Sequence, residues 1–128
     1  ITQDTIIQQG HAIEARIYAE DPQKMFLPSP GVIQHFQVPQ QDKQIRLETG
    51  VRSGDKITAY YDPMIAKLIG FGAGREEALS VLESTLKDTV LEGIKNNIGF
   101  LINALGHREF KAGKSFTGFI QAYQSDLI

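Results

Sequence analysis

From Gly10 to Pro22 apolar and polar residues alternate. Ile13, Ala15, Ile17 and Ala19 fall on one side of an extended strand, and Ala12, Glu14, Arg16, Tyr18 and Glu20 on the other. The spacing predicts a strand over 11–19, closed at Asp21-Pro22 because proline has no N–H for a ladder. Residues 1–9 read as an irregular lead-in, and Leu27-Pro-Ser-Pro-Gly31 as a stiff turn. Val32 to Val38 reads as a second strand and Gln40 to Gln44 as a polar loop. In a third strand Ile45, Leu47, Thr49 and Val51 alternate with Arg46 and Glu48. Ser53-Gly54-Asp55 predicts a tight turn into a fourth strand, Lys56 to Tyr61, which Asp62-Pro63 breaks. Met64 to Phe71 is apolar apart from Lys67, which predicts a fifth strand buried on both faces.

The period then changes. Ala78, Leu79, Val81, Leu82 and Leu86 recur at helical spacing from Arg75 to about Val90, with Glu76 and Glu77 in the first turn, where they suit the helix dipole. Gly93 breaks the pattern. Asn96 or Asn97 is placed to cap a short helix through Ile98, Leu101, Ile102 and Leu105 that ends at Gly106. Ser115 is placed to cap a last helix carrying Phe116, Phe119, Ile120 and Tyr123. Strands first and helices afterwards indicate an α+β domain rather than βαβ alternation.

Composition narrows the classes. The chain has 128 residues, enough for one domain, and its hydrophobic fraction of 41% is that of a globular protein. Thirteen basic against fifteen acidic residues give a net charge of −2, with no basic cluster to attract nucleic acid. There is no cysteine, which excludes disulfides and thiolate metal sites. No apolar run approaches the roughly 20 residues that span a bilayer. A first residue Ile1 and a polar lead-in read as a piece of a longer chain, so that a site here is expected to be incomplete.

Candidate chemistry starts at Arg16, a cation between two carboxylates on one strand face; a half-buried guanidinium in that setting is an anion site, and a solvated face is the plainer reading. Gly70-Phe-Gly-Ala-Gly74 stands between strand and helix, as a phosphate loop would. Its spacing is GxGxG and no lysine follows, so it reads as an ordinary strand-to-helix turn. His11, His35 and His107 share no metal-ligand spacing. Glu14 and Glu20 are too far apart along a strand for paired acid–base work. Tyr60-Tyr-Asp-Pro-Met-Ile-Ala-Lys67 predicts a dense polar corner, in which Asp62 either caps the turn or pairs with a cation such as Arg16.

Four blocks in order carry a resemblance: Gly10-His-Ala-Ile-Glu-Ala-Arg-Ile-Tyr-Ala-Glu-Asp-Pro22, Phe26-Leu-Pro-Ser-Pro-Gly31, Tyr61-Asp-Pro-Met-Ile-Ala-Lys-Leu68 and Gly93-Ile-Lys-Asn-Asn97. Together they resemble the C-terminal domain of biotin carboxylase, from about Gly10 to Ile120. Arg46-Leu-Glu-Thr-Gly-Val-Arg-Ser-Gly-Asp55 and Gly106-His-Arg-Glu-Phe110 look most like the biotin-containing alpha subunit of methylcrotonyl-CoA carboxylase, with propionyl-, geranyl- and acetyl-CoA carboxylases as close alternatives.

The resemblance implies a rudimentary barrel-sandwich hybrid, a small antiparallel β-structure followed by C-terminal helices, over 10–128, with 1–9 leading in from an ATP-grasp domain of the same chain. It implies ATP-dependent carboxylation of biotin by bicarbonate, with Arg16 as the catalytic arginine that binds bicarbonate and steadies the enolate oxygen. A planar, permanently charged fork suits that task. Thr117 aligns with an adenine-contacting position, beside Gly118 where the family has histidine. Arg46 matches a dimer-interface arginine of the bacterial enzyme, whose companion phenylalanine is absent; Asp42 and Lys43 stand there. Biotin, ATP and magnesium are the implied cofactors, with the metal ligands outside residues 1–128 and none within them. A biotinyl carrier domain and a carboxyltransferase (beta) subunit are the implied partners, with no nucleic acid and no membrane. The compartment implied is the bacterial cytoplasm or the mitochondrial matrix. Alone, the chain is expected to be inactive. The competing expectations are a structural module that closes the ATP-grasp unit without a catalytic residue, and an unrelated carrier or binding module.

Overall fold

In the computed structural model, which describes residues 1–39 and 42–128, the fold is organised by the apolar run predicted as the fifth strand. It pairs antiparallel with strands on both sides. The chain order is β1 (His11–Tyr18), β2 (Glu20–Asp21), β3 (Leu27–Pro28), β4 (Gly31–Val32), β5 (His35–Gln37), β6 (Ile45–Thr49), β7 (Lys56–Ile57) and β8 (Met64–Gly72). There follow α1 (Arg75–Lys87), β9 (Val90–Glu92), α2 (Ile98–Gly106), α3 (Arg108–Lys111), α4 (Phe119–Ala122) and α5 (Gln124–Leu127). Short 3₁₀ turns lie at Gln3–Thr5 and Pro22–Lys24.

The main sheet has the order β1-β8-β6, and three two-stranded pairs, β2-β3, β4-β7 and β5-β9, accompany it. None of the described strands closes a barrel. The predicted antiparallel α+β architecture with helices at the C-terminal end is therefore the one observed. Alternation along β1 is obeyed: Ala15 and Ile17 are buried while Glu14 and Arg16 are exposed. The inner face of the sheet meets α1, and Ala15, Ile17, Ile45, Ala66 and Leu68 form one core with Leu79, Leu82 and Leu86. Helix and strand approach closely because β8 carries glycine where they touch. A Cβ on Gly70 would lie 2.8 Å from the Ala78 carbonyl oxygen, and one on Gly72 2.7 Å from the Ala78 nitrogen. The glycine run is thus a packing device. The loop amide of Ala73 already donates to Glu77 Oε2 at 2.7 Å, so the helix's own carboxylate occupies the place a phosphate would need.

Several predicted elements are corrected by partners that lie far along the chain. The strand over 32–38 divides, because Ile33 N–H donates to the Asp55 carbonyl and Gln34 N–H to that of Glu92. β4 therefore pairs with β7, and β5 with β9. The fourth strand keeps two residues of the predicted six, and Ser53-Gly54 does not join it in a hairpin to β6. Part of the 27–31 turn, Leu27–Pro28, pairs as β3 with β2. The first helix ends at Lys87, and Val90 begins β9 because Leu91 is opposed by Phe36. Gly93 follows at φ 97°, a conformation open to glycine, and a Cβ there would clash with the Val32 carbonyl oxygen and the Gln34 nitrogen. The last helix is two single turns, α4 and α5; Gly118 and not Ser115 sits at the cap, and Phe116 is exposed. α3, capped by His107 Nδ1 accepting from Glu109 N–H at 3.3 Å, has no counterpart in the pattern of apolar positions. Part of the 40–44 loop lies outside the described residues.

Candidate active site

The register of the main sheet assembles a charged outer face. Arg16 of β1 opposes Lys67 of β8, which opposes Glu48 of β6; two residues along, Glu14 opposes Ile69, which opposes Arg46. Directly opposed residues share a face, so six side chains from three strands form a patch opposite the packed helix. The prediction that β8 is buried on both faces is corrected: Ala66, Leu68, Gly70 and Gly72 bury the inner face, whereas on the outer face Lys67 and Ile69 are half-buried and Phe71 is exposed.

Arg16 is 60% exposed at its side chain and is held by Glu14, with Nε donating to Oε1 at 2.7 Å. Glu14 raises the guanidinium above its ordinary pKa, first by this hydrogen bond and then by its charge, and Tyr18 adds in the same direction. Arg16 is thus a cation at every working pH. An exposed pair of this kind adds little stability; its consequence is orientation. Glu14 takes the Nε side of the fork and leaves the Nη side for a planar anion. Lys67, across the strand, makes no ion pair with any described residue. Two cations directly opposed on a sheet are unfavourable, and a shared anion removes that cost.

The other predicted residues lie as follows. Arg46 stands on the same outer face, ion-paired with Glu48, and borders a shallow hollow of about 540 Å³ with Ala12, Lys43, Ile69 and Phe71. Asp62 caps its turn: Oδ1 accepts from Met64 N–H at 2.9 Å. Arg16 is paired with Glu14 instead, so the alternative pairing of Asp62 with Arg16 is not the one adopted. The dense polar corner is also corrected. Tyr60 and Tyr61 are 91% and 82% exposed, and Lys67 lies along β8, away from the turn. Thr117 is exposed in the turn before α4, in the helical part of the domain, and is not on the sheet face that carries Arg16. Among the described residues no three His, Asp or Glu side chains gather as a metal would require. His107 packs on Phe119 and Tyr123.

Two residues of this site escape a reading of the sequence. Lys67 stands out as the one charge in an apolar run, but its place beside Arg16 depends on register. Asn97 has the position of a cap. Its side chain makes no cap bond; Asn96 Oδ1 accepts from Ile98 N–H at 3.1 Å instead. The Asn97 amide reaches β1, accepting from Tyr18 N–H at 2.8 Å and donating to the Arg16 carbonyl at 3.1 Å. Near it, burial pushes the Glu20 carboxyl up; the Asn97 amide draws it back and Asp62 pushes it up further.

Comparison with known proteins gives a consistent picture. The family model of the biotin carboxylase C-terminal domain matches residues 14–122. The chain is 45% identical over all 128 residues to the mitochondrial methylcrotonoyl-CoA carboxylase subunit alpha of Rattus norvegicus, covering 18% of that protein. It is 48% identical over 122 residues, 95% of the chain, to biotin carboxylase 2 of Bacillus subtilis, covering 27% of it. Among solved structures it superposes on the biotin carboxylase domain of Hydrogenobacter thermophilus 2-oxoglutarate carboxylase, crystallised as a dimer with MgADP, ADP and bicarbonate. The TM-score is 0.95 at 37% identity, over 100% of this chain and 28% of that one. The chain thus spans less than a third of the length of these relatives.

Proposed function

The chain belongs to the biotin carboxylase C-terminal domain family, and from that premise we propose that it supplies the anion-binding arginine for the ATP-dependent carboxylation of biotin by bicarbonate. The observation that carries the reading is the Arg16 guanidinium on the outer sheet face, exposed, oriented by Glu14 and opposed by Lys67, which has no ion-pair partner among the described residues. The residues fit a small planar anion. Arg16 presents parallel N–H donors, cannot give up its proton, and stabilises charge that develops on an oxygen facing it. Lys67 adds a point charge to the same field, and Glu14 keeps the fork from turning away.

The described residues do not themselves make a nucleotide–magnesium site. The loop amide of Ala73 is taken by Glu77, no metal-binding cluster of acidic residues is present among the described residues, and Thr117 lies off the sheet face. ATP, its metal and the base that takes a proton are therefore assigned to a preceding ATP-grasp domain of the same chain, with residues 1–9 as the lead-in and 10–128 as the domain. Biotin, when presented by its carrier domain, supplies the acceptor nitrogen. We assign Thr117 to the nucleotide edge and Arg46 to a subunit interface on the resemblance to the family; Arg46 borders the hollow beside Phe71. Similarity along the whole chain to alpha subunits of methylcrotonoyl-CoA carboxylase supports that enzyme, with a carboxyltransferase (beta) subunit as partner, in mitochondria or in a bacterial cell. The choice of acceptor acyl-CoA is assigned to that partner. The test is Arg16→Ala in the full-length enzyme, read as bicarbonate-dependent ATP hydrolysis and biotin carboxylation. Carboxylation at the wild-type rate would leave only the structural-module reading.

A further inference from the structure

We propose that Asn97 is a positioning residue for Arg16: its carboxamide pins the free edge of β1 where the pairing with β8 shifts register, and thereby sets the direction in which the guanidinium leaves the sheet. The inference rests on the reading of Arg16 as the bicarbonate-binding group.

β1 is an outer strand of the main sheet, so one row of its backbone groups has no strand partner. Its pairing with β8 is regular from His11 to Ile17 and shifts between Ile17 and Tyr18, immediately beyond Arg16. Ile17 pairs with Ala66 and Tyr18 with Met64, so the extra residue of this bulge is Ile65 of β8, and beside it the ladder that holds β1 is locally interrupted. Asn97 supplies support there three times. Its Oδ1 accepts from Tyr18 N–H at 2.8 Å, its Nδ2 donates to the Arg16 carbonyl at 3.1 Å, and its own N–H donates to the Tyr18 carbonyl at 3.3 Å. The side-chain amide offers a donor and an acceptor in the arrangement of a peptide group, so Asn97 stands in for a missing neighbouring strand. It is 4% exposed, and its carbonyl accepts from Leu101 N–H at 2.9 Å in the first turn of α2. The clamp is therefore seated on a packed helix. Asn97 also occupies the cap position of α2 without using its side chain there. An asparagine that forgoes the cap bond and turns its amide to β1, with the Glu20 carboxyl just beyond that strand as a further partner, is placed for the strand rather than for its helix.

Asparagine is the one side chain of this size with both functions. An aspartate in its place would keep the acceptor for Tyr18 but set an oxygen against the Arg16 carbonyl. The test uses the full-length enzyme with biotin present and compares the wild type, Asn97→Asp, Arg16→Lys and the double variant. The readouts are kcat and the KM for bicarbonate in bicarbonate-dependent ATP hydrolysis. KM is independent of how much of a preparation is folded, so a destabilised variant still reports. Asn97→Asp is expected to lower kcat/KM for bicarbonate about 10- to 100-fold, as small misplacements of a catalytic group do, while the KM for ATP stays within about twofold. In the Arg16→Lys background the same change is expected to add almost nothing, because the group it aims has already been replaced. A bicarbonate KM and kcat at wild-type values in Asn97→Asp, or the same loss in both backgrounds, would overturn the inference and leave the Arg16 reading in place. Wild-type kinetics in both Arg16→Lys and Arg16→Ala would overturn the Arg16 reading itself, and the positioning role with it.

Discussion

At Arg16 a single residue shows how far alternation carries an argument. The strand period places it with Glu14 and Tyr18 on the polar face, and the structure keeps it there with Glu14 as its partner. Because the side chain is exposed and its ion pair is a surface one, Arg16→Ala is expected to leave the melting temperature essentially unchanged. It is expected to lower bicarbonate-dependent turnover of the full-length enzyme by roughly 10²- to 10³-fold, the loss usual for one oxyanion donor; thermal unfolding beside steady-state kinetics separates the two. Glu20 behaves oppositely. Its folded pKa is raised, chiefly by burial, so the folded state holds the proton more tightly than the unfolded chain does. Its contribution is favourable below the ordinary carboxylate pKa and is lost as pH rises through the folded value. Glu20→Gln, which keeps an oxygen for Asn97, is thus expected to raise the melting temperature slightly at neutral pH, by no more than about 0.5 kcal/mol in stability. The difference should disappear on titration to about pH 4, near the ordinary carboxylate pKa; a gap that widens in acid would contradict the assignment.

Elements are legible in the sequence where their cause is local. β1, β6, β8 and α1 follow from period 2 or period 3.6 in runs long enough to show it, and each is found within a few residues of its predicted span. The short strands β4, β5, β7 and β9 are not legible as such, since two or three residues exist as strand only because a remote backbone group meets them. The glycine run is a middle case: its position between strand and helix is readable, and its purpose is not. A methyl group on Gly70 would press on the backbone of α1 at 2.8 Å, whereas one on Gly99 meets nothing within 4 Å. Gly70→Ala is therefore expected to destabilise the domain by about 1–3 kcal/mol through overpacking. Gly99→Ala, inside α2, is expected to stabilise it by about 0.5–1 kcal/mol. Urea midpoints of the two variants provide the comparison, and equal effects would mean that close approach of α1 to β8 is not what Gly70 provides.

On the scale of the whole molecule, this chain is a part of the length of its relatives and, on the proposed function, one wall of a site. It spans 18% of one relative and 28% of another chain, and its own residues present the charged face of Arg16 and Lys67, which we propose binds an anion, without a metal-binding cluster among those described. The isolated chain is expected to hydrolyse no ATP with bicarbonate and free biotin present, measured as phosphate release; turnover above background would show that the face is a site by itself. The amino-acid sequence alone determined the α+β order, the polar face that carries Arg16, and through four ordered blocks the family. Those depend on neighbours two to four residues apart, or on runs read along one line. Only the tertiary structure decided that Lys67 faces Arg16, that Asp62 turns to its own backbone, and that Asn97, 79 and 81 residues from the groups it binds, holds β1 beside the bulge of β8. Pairing register and the partner of a buried amide are set by which distant segments pack together. That choice is made by the summed burial of the core, and no local pattern encodes it.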